Sequence, residues 1–500
     1  MSPLIIAASA AVFVVYILPA VRLLALVLAV FLFIGCVVLC VPGILKKHKK
    51  LLPPQFIIMG FAALLGIIAG FNCVSRMEPC APGLPFETIA AVKGKLLDDP
   101  RSFALTNAQR NQEEERGMAA LELFETGGLN GTVRCSARGR VLVYFPAGTM
   151  PRLKEFGRGA ELYIEGNFLI DDFAANKTND APRFRAASVH ITKKAPALER
   201  MRTAIRGAIL SRLKQKAWGG LASALLIGTR ENLEGDLAVS FRNAGLSHIL
   251  ALSGMHLAFI SGMLAFVLKK PLGKKGSIIA GFVFIALYVF LVGPEPSLVR
   301  AVIMYGLGSF LILTGTEKQT LALLSAAFLI QILWDPSSAY SASFILSYLA
   351  LAGILVLSGP ALVLLRGKLP HSLAVGISAS AGAFLVTSPA VTAFFGILRP
   401  VGLIAGLVAA PLSGIFMALS FLWLLFAELP FIGMIFGFVL DKLLIVLQLF
   451  MQWSVLFFAR FPGVNLPLPA VCVIAPLLIV LLIVLSNREA RYRNKFISFA

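Results

Sequence analysis

Apolar runs of roughly 18 to 28 residues, free or nearly free of charge, recur along most of this chain, and about 20 such residues match the hydrocarbon thickness of a bilayer. The first stand at 3–20, 22–45 and 54–74. A second series lies near 248–268, 277–293, 297–315, 319–334, 343–365, 371–396, 401–427, 432–459 and 466–486. A soluble chain carries about 25% charged residues, whereas this one is 58% hydrophobic and 14% charged. The apolar content therefore belongs to spans, and the expectation is a polytopic α-helical membrane protein of about 12 spans. Met1-Ser-Pro offers no basic start, so the first run reads as an uncleaved span. The 432–459 run carries Asp441 and could be two shorter membrane helices.

The formal charge is +20, from 45 Lys and Arg against 25 Asp and Glu. Such a balance suits anionic headgroups or nucleic acid, though positive-inside bias alone accounts for much of it. The Lys46–Lys50 loop, Lys269-Lys270 with Lys274-Lys275, Lys318, Arg366 with Lys368, and the tail from Arg488 to Lys495 all fall on one side of the span count. That side is the cytoplasm. Gly293-Pro294-Glu295-Pro296, Asp335-Pro336 and residues 85–195 fall outside.

Residues 85–195 break the pattern. Charges of both signs appear, and short alternating stretches recur at 90–97, 119–125, 131–137, 139–145, 161–170 and 184–191, punctuated by Gly, Pro, Asn and Asp. This spacing predicts a small β-barrel or sandwich. The polar stretch 107–117 reads as a loop or short helix. Residues 197–217 place apolar side chains at helical spacing with Arg and Lys opposite, a basic amphipathic helix suited to a membrane surface, or alternatively one packed on the outer domain. A short helical stretch at 219–245 follows. The expected organisation is thus 1–80 membrane helices, 85–195 outer β domain, 196–246 amphipathic and connecting helices, 247–486 membrane domain, and 487–500 a basic tail.

The six cysteines match no zinc-ligand spacing. Cys36, Cys40 and Cys472 lie in apolar runs and read as packing residues. Cys73, Cys80 and Cys135 share the outer compartment, and two of them could pair, the pairing left open. No phosphate-cradling P-loop, H-E-x-x-H or His/Asp metal cluster occurs, so no cofactor and no catalytic metal are expected.

Three stretches place polar groups in or beside apolar spans, where such groups default to function. The densest is Phe241-Arg242-Asn243-Ala244-Gly245-Leu246-Ser247-His248-Ile249-Leu250-Ala251-Leu252-Ser253-Gly254-Met255-His256. Its Ser and Gly permit a broken helix, tolerated at membrane depth only where it is buried in protein or lines a watery cavity. Ser253 and His256 resemble a nucleophile and base, but no nearby carboxylate orients the His, so catalysis is not expected. The second stretch is Gly293 to Met304, where Arg300 enters an apolar helix and either snorkels to the interface or faces a polar interior. The third is Trp334-Asp335-Pro336 with Phe344-Ile345-Leu346-Ser347-Tyr348.

Together with Ala224-Leu225-Leu226-Ile227-Gly228-Thr229-Arg230, these stretches resemble the ComEC family, the competence-type DNA internalisation channels, over roughly residues 20–485. The resemblance implies a channel that passes single-stranded DNA across the cytoplasmic (inner) membrane in natural transformation. It implies an OB-like outer domain, a DNA receptor, a separate nuclease and a cytoplasmic motor as partners, and contact with membrane lipids. Many family members carry a C-terminal domain similar to metallo-β-lactamases. This chain ends about 14 residues after the last apolar run, so the resemblance is to a form without it, and no enzyme activity is expected. Where the family often has Asn-Leu-Leu-Ala-x-Pro, this sequence reads Gly406-Leu407-Val408-Ala409-Ala410-Pro411, with Gly in the Asn place. The pathway candidates are His248, Ser253, Gly254, His256, Arg300, Asp335 and Ser347. In the outer domain, Arg134, Arg138, Arg140 and Tyr144 form a candidate DNA-binding patch, since aromatic side chains stack bases and cations track the backbone. Two rivals remain: a transporter of another small or lipid-linked substrate, whose mark would be an intramembrane acid such as Asp441, and a non-transporting, membrane-tethered binding protein.

Overall fold

The computed structural model describes residues 82–107, 112–128, 134–146, 149, 157–169, 182–315, 320–457 and 467–497. The runs at 3–20, 22–45 and 54–74, the Lys46–Lys50 loop, and Cys36, Cys40, Cys73 and Cys80 lie outside them, as does any pairing of Cys73 or Cys80. Cys135 and Cys472 are free thiols. The chain divides into two units. One comprises residues 77–233 with Phe290–Gly293, and the other takes the remainder.

The first unit is built on seven strands: β1 (Ile89–Leu96), β2 (Arg101–Asn107), β3 (Gln112–Gly128), β4 (Arg134–Ser136), β5 (Arg140–Phe145), β6 (Glu161–Phe168) and β7 (Arg183–Lys193). They form one sheet in the order β1-β6-β7-β5-β3-β2, with β4 attached to β3 and a further pairing of β1 with β3. All pairs are antiparallel except β5 with β7. Alternation decides which face is buried. Val141, Val143 and Phe145 of β5 point into a core with Val92, Leu96, Leu121, Leu123, Leu162, Ile164 and Phe184, while Arg140, Leu142 and Tyr144 take the other face. Phe168 stacks edge-on against Phe86 and Phe184. Two glycines let the sheet bend. A Cβ at Gly94 would strike the Glu122 carbonyl, and one at Gly166 the Arg185 carbonyl; each glycine sits at a register shift in its ladder.

The stretch 107–117 is a correction. Gln112 onward is strand, not loop or helix, and it pairs with β2 from Asn107↔Gln112 to Arg101↔Met118. The run Gln112-Glu113-Glu114-Glu115-Arg116 has no apolar residue to alternate, so hydrophobic periodicity could not reveal this strand.

Residues 197–214 form helix α1 (Ala197–Lys214), which buries Arg202 and Leu213, and the apolar α2 (Gly219–Ile227) is buried at every position but Gly220. Arg202 of α1 is 2% exposed. Its guanidinium donates to both Asp99 carboxylate oxygens (3.1 and 2.6 Å), to Glu199 Oε2 (3.1 Å) and to the carbonyls of Phe290 and Leu291 (2.6 and 3.2 Å). Arg206 donates to Asp99 and to the Val292 carbonyl (2.9 and 2.7 Å). These carbonyls end a helix and have no partner within it, so the arginines cap it. Burial by itself would lower the Arg202 guanidinium, but hydrogen bonds and charge from Asp99 and Glu199 outweigh it and raise the group above its ordinary value.

The second unit is helical: α3 (Gly235–Asn243), α4 (Gly254–Val292), α5 (Pro296–Leu313), α6 (Thr320–Trp334), α7 (Ala342–Leu365), α8 (His371–Phe395), α9 (Gly402–Phe426), α10 (Pro430–Phe457) and α11 (Leu468–Ile497). The last residues of α4 belong to the first unit. Among the described residues seven helices are long and apolar enough to cross a membrane, which makes this a multi-pass membrane protein. Two expected spans are shorter. Gly254–Ala265 and Thr320–Trp334 are apolar helices below spanning length; at about 1.5 Å per residue they rise roughly 18 and 22 Å against a hydrocarbon core of about 30 Å. Residues 248–253 are turns and bends, not the start of a span. Pro271 and Gly273 (φ +66°) break α4 beside the Lys269–Lys275 cluster. The Asp441 run is one helix rather than two, and the tail continues α11 to Ile497.

Candidate functional site

The second unit gathers its polar groups where the start of α4 meets α5, α6 and α7. Gly245 (φ +72°) turns the chain out of α3 in a conformation that favours glycine. This bend packs on the start of α9. A Cβ on Gly402 would come 2.8 Å from the Gly245 carbonyl, and Arg399 Nη1 donates to the Asn243 carbonyl (3.0 Å). The chain then runs without helix to Gly254, and Ser297 Oγ holds it by donating to the Leu252 carbonyl (2.7 Å).

His256 is 0% exposed. The Ser253 backbone N–H donates to its Nδ1 at 3.0 Å, and Ser253 Oγ lies 3.1 Å from the same atom. With Nδ1 accepting, the ring proton resides on Nε2, and that atom is buried without a partner. Nδ1 is thus engaged by a backbone donor and, among the described residues, no carboxylate orients the ring, an arrangement unlike a nucleophile-activating base.

Arg300, in the second turn of α5, is 8% exposed. Its Nη1 donates to the carbonyl and the hydroxyl of Ser347 on α7, its guanidinium lies 5.8 Å from the Tyr348 ring centre, and its Nε has no partner. It does not snorkel. Gly254 makes room for it, because a Cβ there would come 2.8 Å from Nη2. Tyr348 donates to Gln331 Oε1 (2.9 Å), and Gln331 Nε2 donates to the Pro296 carbonyl (3.0 Å).

Of the expected residues, the structure joins Gly254, Arg300 and Ser347 directly and pairs Ser253 with His256. His248 remains exposed. Asp335 ends α6 through its backbone, its N–H donating to Gln331 and its carbonyl accepting from Ser338. Among the described residues no carboxylate pairs with Arg300. Sequence reading missed Gln331, 3% exposed, although a lone amide in an otherwise apolar helix was a usable signal. It also passed over Ser297.

In the first unit Arg140 and Tyr144 share the outward face of β5. The parallel ladder sets Arg183 beside Leu142 and Arg185 beside Tyr144, giving a basic and aromatic stripe that includes two arginines the sequence did not single out. Arg134 opens β4, paired with Gly127 of β3, in a depression with Lys93 and Tyr163. Arg138 is exposed between them. Acids answer part of this charge, as in Lys93–Glu125 (3.8 Å). Among the described residues no group of three or more His, Cys, Asp or Glu is placed to hold a metal.

Comparison with known families gives one decisive match. The family described as Competence protein matches residues 225–491, more than half of the 500-residue chain. The chain belongs to this family. The match covers the seven spanning helices found among the described residues and every pathway candidate. ComE operon protein 3 of Bacillus subtilis (strain 168) is 24% identical over 219 residues, covering 41% of this chain and 28% of the relative. An uncharacterized protein of Aquifex aeolicus (strain VF5) is 25% identical over 231 residues, covering 46% of this chain and 53% of the relative. The chain thus spans between about a quarter and half of the lengths of these curated relatives. No solved structure matches.

Proposed function

We propose that this competence-family protein forms a channel for single-stranded DNA across the cytoplasmic membrane during natural transformation. One observation carries the reading: a buried arginine, Arg300, meets a broken-backbone segment inside a bundle of spanning helices. A phosphate backbone cannot cross bare hydrocarbon. Irregular backbone survives there only in a protein interior or against water. Gly254, Ser253, His256, Arg300 and Ser347 would line or support the path, with Gln331 and Ser297 bracing it, His248 at its approach and Asp335 at its edge.

The β domain is proposed as OB-like and extracytoplasmic, with the C-terminus inside. Supporting the OB-like fold are the successive pairings β1–β6, β6–β7, β7–β5, β5–β3 and β3–β1, the single parallel pair, and the glycine bulges that bend the sheet; the orientation follows from the basic loops. The stripe of Arg140, Tyr144, Arg183 and Arg185, with Arg134 and Arg138 nearby, would receive the strand. A DNA receptor, a separate nuclease and a cytoplasmic motor would complete the system. The rival acid relay gains no support, since Asp441 lies exposed on α10. Import of labelled DNA should collapse when the gene is deleted and return when it is restored; full import without the gene defeats the reading.

A further inference from the structure

We infer that the crossing of α4 and α5 is a binding site for one phosphodiester oxyanion, held by the Arg300 guanidinium and the Nε2–H of His256. The inference rests on the channel reading and deepens it: the group recognised at this point is the backbone phosphate, not a base.

Three observations converge. First, Arg300 is a buried cation without a carboxylate partner among the described residues. Its neighbours are the neutral oxygens of Ser347 and the face of Tyr348. Burying a charge is tolerated when a counter-charge and hydrogen bonds compensate it, and here the counter-charge is missing. Second, the unmet hydrogen-bonding capacity in the first turn of α4 and on Arg300 is all of one kind. Arg300 Nε and His256 Nε2 are both buried donors without acceptors. Nε2 is a donor because the Ser253 N–H occupies Nδ1. Among the described residues the other buried side-chain atoms lacking partners are hydroxyls at Thr229, Ser413 and Ser454. Third, the site is braced. Ser297 fixes the Leu252 carbonyl, Gly254 leaves space for the guanidinium, and Gln331 ties Tyr348 to the first turn of α5. One positive charge and two N–H donors complement a group with a single negative charge and two free oxygens. A phosphodiester fits that description, and it is the repeating anion of a DNA strand. Phospholipid headgroups share this chemistry.

The test uses the full-length protein in a phosphate-free maltoside detergent. Dimethyl phosphate should raise the thermal midpoint of the wild type and of His256→Gln, whose amide returns an N–H near the Nε2 position. It should not raise that of His256→Asn, whose amide reaches only the Nδ1 position, or of Arg300→Gln. Equal stabilisation by acetate, or the same response in all four proteins, overturns the site. A short oligothymidylate acting at lower concentration than glycerophosphoglycerol identifies the strand as the source; the reverse order overturns the DNA assignment and makes the site a headgroup seat. In cells, His256→Asn should import labelled DNA about tenfold more slowly than His256→Gln at equal membrane abundance, a difference equivalent to about 1.4 kcal/mol. If import needs the gene but the two variants match, this inference fails and the channel stands. If import continues without the gene while dimethyl phosphate still binds, the channel reading fails and the anion site stands.

Discussion

Arg202 and Arg300 are both buried arginines, and their surroundings give them opposite meanings. Arg202 meets two carboxylates and the carbonyls that end α4, so its charge is fully answered and its role is structural. Truncating Arg202→Ala would leave Asp99 to Arg206 alone and the Phe290 and Leu291 carbonyls without their donor, a loss of about 1–3 kcal/mol. A clear fall in the thermal midpoint of the detergent-solubilised protein would show it. Arg202→Lys should recover only part of that, because an ammonium cannot span Asp99 and two carbonyls as the planar guanidinium does. Gly254→Ala tests the other arginine. Its methyl would arrive 2.8 Å from Arg300 Nη2, and Ser347 limits how far the guanidinium can retreat. DNA import should fall several-fold while the melting temperature shifts little. The sequence singled out Arg300 and not Arg202, and nothing in residue order revealed that Arg202 has carboxylate partners while Arg300 has none among the described residues.

Among the helices, α7 and α8 approach most closely at a pair of glycines. A Cβ on Gly382 would come 2.6 Å from the Gly353 carbonyl, and one on Gly353 would strike the Gly382 carbonyl in turn. In a bilayer, where lipid is as apolar as leucine, such backbone proximity is what holds helices together. Gly382→Leu should separate the pair, cost about 1–3 kcal/mol as an overpacked contact does, and lower the protein's abundance in membranes. The β domain uses glycine differently. Gly94→Val would force the β1 backbone away from Glu122 at a bulge, and loss of slow amide exchange in β1 and β3 would register it. Strand positions were largely legible because alternation tracks burial. The β2–β3 ribbon was not, since Gln112–Arg116 carries no apolar residue for alternation to mark. The short α6 and the late start of α4 were also hidden: hydropathy marks where apolar residues lie, not where helical hydrogen bonding begins.

The proposed function has the first unit bind a strand and the second conduct it. Binding of oligothymidylate to the full-length protein should weaken steeply with salt, because cations that neutralise phosphates release counterions. Tyr144→Ala should cost about 1–3 kcal/mol of that affinity if a base stacks there, and Arg185→Glu should weaken binding further and reduce its salt dependence. Titrations at several salt concentrations would read both effects. Affinity unchanged in both variants would move the strand off this stripe.

Residue order alone established the many apolar spans, the inserted β domain, the basic helix that follows it and the stretches where polar groups enter the membrane, because those properties are local and follow period and hydropathy. Only the folded chain settled which polar groups meet. Ser347 reached Arg300 across 47 positions and Asp99 reached Arg202 across 103, distances over which composition and period carry no information. The capping of α4, the unpaired donors on His256 and Arg300, and the placing of Arg185 beside Tyr144 are consequences of packing, which brings together groups the sequence holds far apart.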